Sequence, residues 1–460
     1  MQQSVNKILT AKEKRFALRQ KIAQKNKISL SFTLNIAGFP KSNKIITTFF
    51  NLILSELKIF LLANRIILDK KNEINITDDA GNFYLTSINN PDISEKKIKQ
   101  ISENFETIHQ LGRLLDIDIA DNQANPVSSG KEKKCYYCGK FPAIVCMRNQ
   151  NHTYTELRKF IFDKIENYLN LQKKDLIAKK LSSIALKSLL YEVSLTPKPG
   201  LVDFNNSGSH SDMNYFTFLD SSSALSPFFR ELVLAGCNFS ESSFSKALPI
   251  IRNIGLQMET EMFEATNKIN TQKGLIFLLG INLFASGYYF YRNKILDINK
   301  YREIIKNICK NITITELEKA ENNKTHGEVC FQKYGKLAAG ARLEAENGFP
   351  SVFDYSLKVL EQNFSDENLL NKEKINIALQ KTLVKLMSIN NDTNILYRKN
   401  FEILTELQIL SKDCFNSNDF ENKYLKIIKF CKENNISPGG SADLLAITIY
   451  VYFIKNQLLI

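Results

Sequence analysis

The chain has 460 residues, 44% of them hydrophobic, and a formal net charge of +13. That length and apolar content exclude a wholly disordered protein and allow two or three packed domains. The charge suggests nucleic acid, but the lysines are scattered and no basic tract carries aromatic platforms, so polyanionic substrates or an acidic carrier protein suit it better.

The opening MQQSVNKILTAKEKRF is polar and charged, unlike a signal peptide. With eight cysteines, this predicts a cytoplasmic chain with reduced thiols. Residues 10–25 read as an amphipathic helix with Thr10 as N-cap. SLSFTLNIAGFPK, from Ser29, predicts a strand and a Gly/Pro turn, and Ser42–Leu62 an apolar helix. NEINITDDAGNFYLTSI, from Asn72, predicts a hairpin turning near Asp79–Gly81, followed by a helix over Ser94–Phe105.

LGRLLDIDIAD then predicts a strand carrying Asp116 and Asp118. At i and i+2 on a strand, both carboxylates point to one face and repel unless a cation sits between them. Mg²⁺ is the natural tenant, as in nucleotidyl transfer to or from a triphosphate. Solvated aspartates are the plain alternative. In KCYYCGKFPAIVCMRNQNH the ligand types of Cys135, Cys138, Cys146 and His152 suit Zn²⁺, though the short spacing matches no standard finger. The alternative is thiols packed in a small core.

A helix is predicted over Tyr154–Leu171, and QKKD then breaks the pattern before IAKKLSSIALKSLLYEV begins another. From there the chain reads as helical. The expected architecture is an α+β domain over residues 1–172 followed by a larger all-α domain over 173–460. Gly274–Tyr291 approaches the length of a membrane span, but Asn282, Ser286 and its glycines favour a buried helix, as does the run from Leu444. No membrane is implied.

The helical half is interrupted by loops rich in chemistry. In TPKPGLVD and HSDM, two prolines and Gly200 stiffen a turn that carries Lys198, Asp203, His210 and Asp212. Carboxylates, an imidazole and a lysine on such a loop suit phosphate and a hard metal ion. THGEVCFQKYGKLAAGARLEAENGFP, NDTNILYR and NISPGGSADLLA add Glu328, Arg342, Asp392, Gly439, Gly440 and Asp443. Glu344 and Glu346 read as helix-surface residues.

Two resemblances follow. SFTLNIAGFPK, HQLGRLLDIDI and CYYC with CMR and His152, together with Glu13, Arg15, Arg19 and Gln20, resemble the citrate lyase holo-acyl-carrier-protein synthases. The resemblance implies transfer of phosphoribosyl-dephospho-CoA to a serine of the citrate lyase acyl carrier protein, with loss of pyrophosphate. It implies that Asp116 and Asp118 hold Mg²⁺, that Lys41, Arg113 and Arg148 meet phosphate, and that Asn35 and Gly38 shape the loop. Departures are Ala37 and Phe39 for prolines, Ser128-Ser129 where an arginine is expected, and Lys134 before Cys135.

Residues 175–460, through the motifs above, resemble the triphosphoribosyl-dephospho-CoA synthases. The implied substrates are ATP and 3′-dephospho-CoA, and adenine is released. The carboxylates Asp203, Asp212, Glu259, Glu328, Asp392 and Asp443 would converge with His210, and Asp212 and Glu259 are the candidate Mg²⁺ ligands. Lys198, Lys273 and Arg342 would face phosphate, with Gly200, Gly439 and Gly440 allowing close approach. Gln272 stands where the family has histidine. The resemblances describe consecutive steps: a bifunctional transferase whose second half makes what the first half attaches. Competing readings are a synthase serving malonate decarboxylase and a basic RNA-binding protein with a small zinc module.

Overall fold

The computed structural model describes residues 2–90, 93–128, 130, 133–318, 326–364 and 371–458; Ser129 and Thr325 lie outside them. The chain divides into two compact units, Met1–Gln172 and Lys173–Ile460. The first is α+β; in the second, the regular elements among the described residues are helices, the fold class the sequence predicts.

The first unit is built on a four-stranded antiparallel sheet in the order β2-β3-β1-β4. Its strands are β1 (Ser29–Leu34), β2 (Ile74–Asp78), β3 (Gly81–Ser87) and β4 (Leu115–Ala120). Alternation assigns the two faces. Leu30, Phe32, Tyr84, Ile117 and Ile119 pack in one core with Phe49, Phe50, Ile53 and Leu57 of the helix Lys44–Ala63. Phe83 and Leu85 form a smaller cluster with Leu18 and Ile22 of the helix Gln2–Ala23. The predicted hairpin is β2–β3, closed at Asp79-Ala80.

Helix boundaries correct two expectations. Thr10 is inside the first helix, its hydroxyl donating to the Asn6 carbonyl. The helix Tyr154–Ser194 runs through QKKD without a break, because no Gly or Pro interrupts the i→i−4 ladder there. At Lys44–Ala63 the cap is Asn43, whose side chain accepts from the Ile46 N–H.

In the second unit the apolar run becomes the helix Lys273–Arg292, largely buried. Its polar residues are satisfied inside: the Asn282 side-chain amide donates to the Leu278 carbonyl, and the Tyr450 hydroxyl donates to Ser286 Oγ. This bonding explains how Asn282 and Ser286 sit in a core. Among the described residues, this helix and Lys44–Ala63 are long and apolar enough to cross a membrane, and 78% of the former's apolar window is buried in its unit.

Candidate functional site

The helical unit holds a cleft of about 320 Å³. The loop after Ser194, the starts of the helices Lys273–Arg292 and Gly439–Asn456, and the Asn390–Arg398 segment all line it. Helix starts leave N–H groups without intrahelical partners and carry a partial positive charge, so two of them opening into one cleft suit phosphate oxygens. Lys198, His210, Asp212, Lys273, Asp392, Gly439, Gly440 and Asp443 all face this space, joined by Glu192 and Glu344.

Gly200 sets the loop. Its φ is +65°, and a Cβ there would sit 2.1 Å from the Ile436 carbonyl oxygen. The loop therefore packs directly on the segment leading into the helix Gly439–Asn456. Ser209 Oγ donates to that same carbonyl, and His210 Nε2 lies 2.9 Å from Ser437 Oγ. Asp203 is buried, and its carboxylate accepts from the N–H groups of Lys198, Asn205 and Asn206. The geometry makes it a holder of the loop, and it is not among the residues lining the cleft.

Lys198 is buried with its ammonium 2.7 Å from the Glu192 carboxylate, and it also donates to the Glu192 carbonyl. Asp392 is buried at the cap of the helix Thr393–Arg398, where it also accepts from the Ser441 N–H. Burial raises its carboxyl above the ordinary value against these hydrogen bonds. Asp443 lies over the first turn of the helix Lys273–Arg292, so close that a Cβ on Gly274 would be 2.3 Å from its Oδ2. Burial, then the charges of Glu192 and Asp392, push Asp443 well above the ordinary range. Burial also raises Glu344 to about 7, although Ser351 donates to it through both N–H and hydroxyl. His210 is lowered by burial and by Arg398, against the pull of Asp212.

Three other predicted residues are held in pairs and are not among those lining the cleft. Glu259 pairs with Lys273 at 2.8 Å. Arg342 donates to Glu316 at 2.9 Å and approaches Glu328 at 3.8 Å, while Glu316 also binds Arg252. Gln272 is buried in the cleft wall, where its side-chain oxygen accepts from Ser221 Oγ. The amide is thus committed to a structural hydrogen bond.

In the α+β unit, Asp116 and Asp118 share the sheet face of Thr33 and Ser31, opposite which they pair in register. Arg19 joins Ser31 at 2.7 Å and Asp118 at 3.4 Å, and Lys133 approaches Asp116 at 3.8 Å. Burial and then the Asp118 charge raise the Asp116 carboxyl. The nearby ammonium groups of Lys133 and Lys99 pull the other way. Lys41 donates to the Ile36 carbonyl, and burial lowers its ammonium. Arg113 donates to the Lys134 carbonyl. Gly38 turns the loop after exposed Asn35, and Arg148 is exposed at the end of the helix Ala143–Arg148.

Residues 178–459 match the family model described as CitG, ATP:dephospho-CoA triphosphoribosyl transferase. Residues 3–168 match that of CitX, apo-citrate lyase phosphoribosyl-dephospho-CoA transferase. A Protein CitXG of Leuconostoc mesenteroides subsp. cremoris is 32% identical over 92% of this chain and 90% of its own length. The chain belongs to the CitXG family. The Protein CitXG of Haemophilus influenzae is 31% identical over 97% of this chain and 95% of its own. A probable 2-(5''-triphosphoribosyl)-3'-dephosphocoenzyme-A synthase of Streptococcus mutans is 36% identical over 62% of this chain and 99% of its own. As a CitXG-family member the chain is a bifunctional transferase of citrate lyase prosthetic-group biosynthesis, using ATP and dephospho-CoA.

Sequence reasoning passed over Glu192 and Glu344. Glu192 adjoins the TPKPG motif, and that adjacency was its only signal. Glu344 reads from sequence as a helix-surface residue; in the helix Gly340–Glu346, tertiary packing against Ser351 turns it into the cleft wall. Glu346 is likewise half-buried, accepting from the Thr313 N–H. Cys135, Cys138, Cys146 and His152 come together, their ligand atoms all within 4.8 Å of one another.

Proposed function

We propose that the helical unit joins ATP to 3′-dephospho-CoA and that the α+β unit passes the product's phosphoribosyl-dephospho-CoA arm to a serine of the citrate lyase acyl carrier protein. The observation that supports the first assignment is the cleft, where two helix starts meet a set of carboxylates raised by burial. In the first reaction the C1″–N9 bond of ATP breaks, and the 2′-oxygen of dephospho-CoA bonds to C1″. The positive ends of the two helices and Lys273, exchanging Glu259 for phosphate, hold the triphosphate. Glu344, with a carboxyl near neutrality, is matched to take the 2′-hydroxyl proton. Asp443, whose carboxyl is pushed well above the ordinary range by burial and by the Glu192 and Asp392 charges, supplies a proton to the departing adenine. Positive charge growing at C1″ is stabilised by the remaining carboxylates.

In the second reaction the carrier serine attacks the α-phosphorus and pyrophosphate leaves. Arg19 and Lys133 stand beside the carboxylate face to meet phosphate charge. Mg²⁺ suits the donors: Asp116 and Asp118 would hold it in this unit and Asp212 in the other. Bound there, it neutralises triphosphate and pyrophosphate charge. The thiol–imidazole cluster has a zinc-type donor set outside both groups of reacting residues. Eight free cysteines support a reducing, cytoplasmic setting.

The test is incubation of the full chain with ATP, Mg²⁺ and dephospho-CoA, followed by mass spectrometry. Adenine and a triphosphoribosyl adduct are expected. Adding the carrier protein should then give the phosphoribosyl-dephospho-CoA adduct and pyrophosphate. ADP or AMP in place of adenine would refute the first assignment, and an unmodified carrier the second.

A further inference from the structure

We infer that Cys135, Cys138, Cys146 and His152 form a structural zinc site that fixes the segment carrying Lys133 beside the Asp116–Asp118 face. The four ligand atoms lie within 4.8 Å of one another. Two thiolates each about 2.3 Å from one tetrahedral ion stand about 3.8 Å apart. Cys138 Sγ and Cys146 Sγ are separated by 3.6 Å, near that edge and far beyond the roughly 2.05 Å of a disulfide. The backbone folds the first two thiols inward: the Cys135 N–H donates to the Phe141 carbonyl, and the Gly139 N–H to that of Cys135.

Apolar packing accounts for little of the cluster. In the helix Ala143–Arg148 only Cys146 is buried. Phe141, Ile144 and Met147 are 51%, 58% and 68% exposed, so these apolar residues build no core around the thiols, and the ring of Tyr137 packs on the His152 imidazole and Phe160. His152 Nε2 is buried with no hydrogen-bond partner. Such an atom costs about 1–3 kcal/mol, which coordination of the imidazole would remove. Three cysteines and one histidine complete a tetrahedron with no open position, the form of a structural site.

The segment so held has a use. The Lys133 carbonyl accepts from the Ala143 N–H, and the Lys134 carbonyl accepts from Arg113. Lys133 Nζ binds Glu106 at 3.0 Å and reaches Asp116 at 3.8 Å. Zinc would hold the segment from which this ammonium projects. This inference is independent of which unit performs which reaction.

The full chain, purified under reducing conditions without chelator, should carry one zinc per molecule by elemental analysis. Cobalt exchange should give a thiolate charge-transfer band and the intense d–d bands of a tetrahedral ion. Cys138→Ser with Cys146→Ser should lose both signals while adenine release persists. His152→Cys should keep a tetrahedral spectrum with a stronger thiolate band. Absence of zinc even after incubation with Zn²⁺, a Cys138–Cys146 disulfide under reducing conditions, or full metal retention in the double serine variant would overturn the inference.

Discussion

Replacing Glu344 by glutamine should stabilise the protein at about pH 8 and leave it nearly unchanged at about pH 4.5. The Glu344 carboxyl is raised from 4.5 to about 7, chiefly by burial. At 1.36 kcal/mol per pH unit, that difference corresponds to about 3 kcal/mol. The native state holds this proton more tightly than the unfolded chain does. The stability it contributes is therefore complete below about pH 4.5 and lost as pH rises through about 7. Glutamine keeps the shape and the Ser351 contacts, since its oxygen can accept from the N–H while its amide donates to the hydroxyl. Allowing for partial solvent contact, the variant should gain about 2–3 kcal/mol relative to wild type between the two pH values. Urea unfolding followed by helical circular dichroism at both pH values measures it. Adenine release should fall by on the order of 10²-fold or more if Glu344 is the base. A stability difference equal at both pH values would refute the buried-carboxyl argument. Full activity with the predicted stability gain would refute only the catalytic role.

The two sites should separate by mutation. Asp116→Asn with Asp118→Asn should abolish carrier loading and spare adenine release, whereas Asp443→Asn should abolish adenine release and spare carrier loading when ready-made triphosphoribosyl-dephospho-CoA is supplied, each by on the order of 10²–10⁴-fold in initial rate; equal loss of both activities in a folded variant under those conditions would refute the assignment. Lys198→Met leaves the buried Glu192 carboxylate without its ammonium and should cost about 3–5 kcal/mol in chemical denaturation, much of it recovered by adding Glu192→Gln. Gly200→Ala places a Cβ 2.1 Å from the Ile436 carbonyl oxygen at a φ of +65° and should cost on the order of 3 kcal/mol, read as a lowered melting temperature.

Residue pattern alone carried the fold class, the β2–β3 hairpin, the carboxylate pair of β4 and the family motifs. Each is a local property: a period of two or 3.6, a turn dipeptide, or an i, i+2 spacing survives in any window of the chain. Asp116 and Asp118 needed only the strand to share a face. The condition of the helical cleft is not local. Asp392 and Ser441 are 49 residues apart, and His210 and Ser437 are 227 apart, so no window contains both partners. Burial is a sum over such neighbours, and burial moves Glu344 to near neutrality and Asp443 well above its ordinary range. The same holds for Lys198, which the motif marks as cationic but which tertiary contact buries against Glu192. Sequence determined which chemical groups are present and on which kind of element; only the tertiary structure decided which of them meet, which lose water, and hence which can hold a proton or a phosphate.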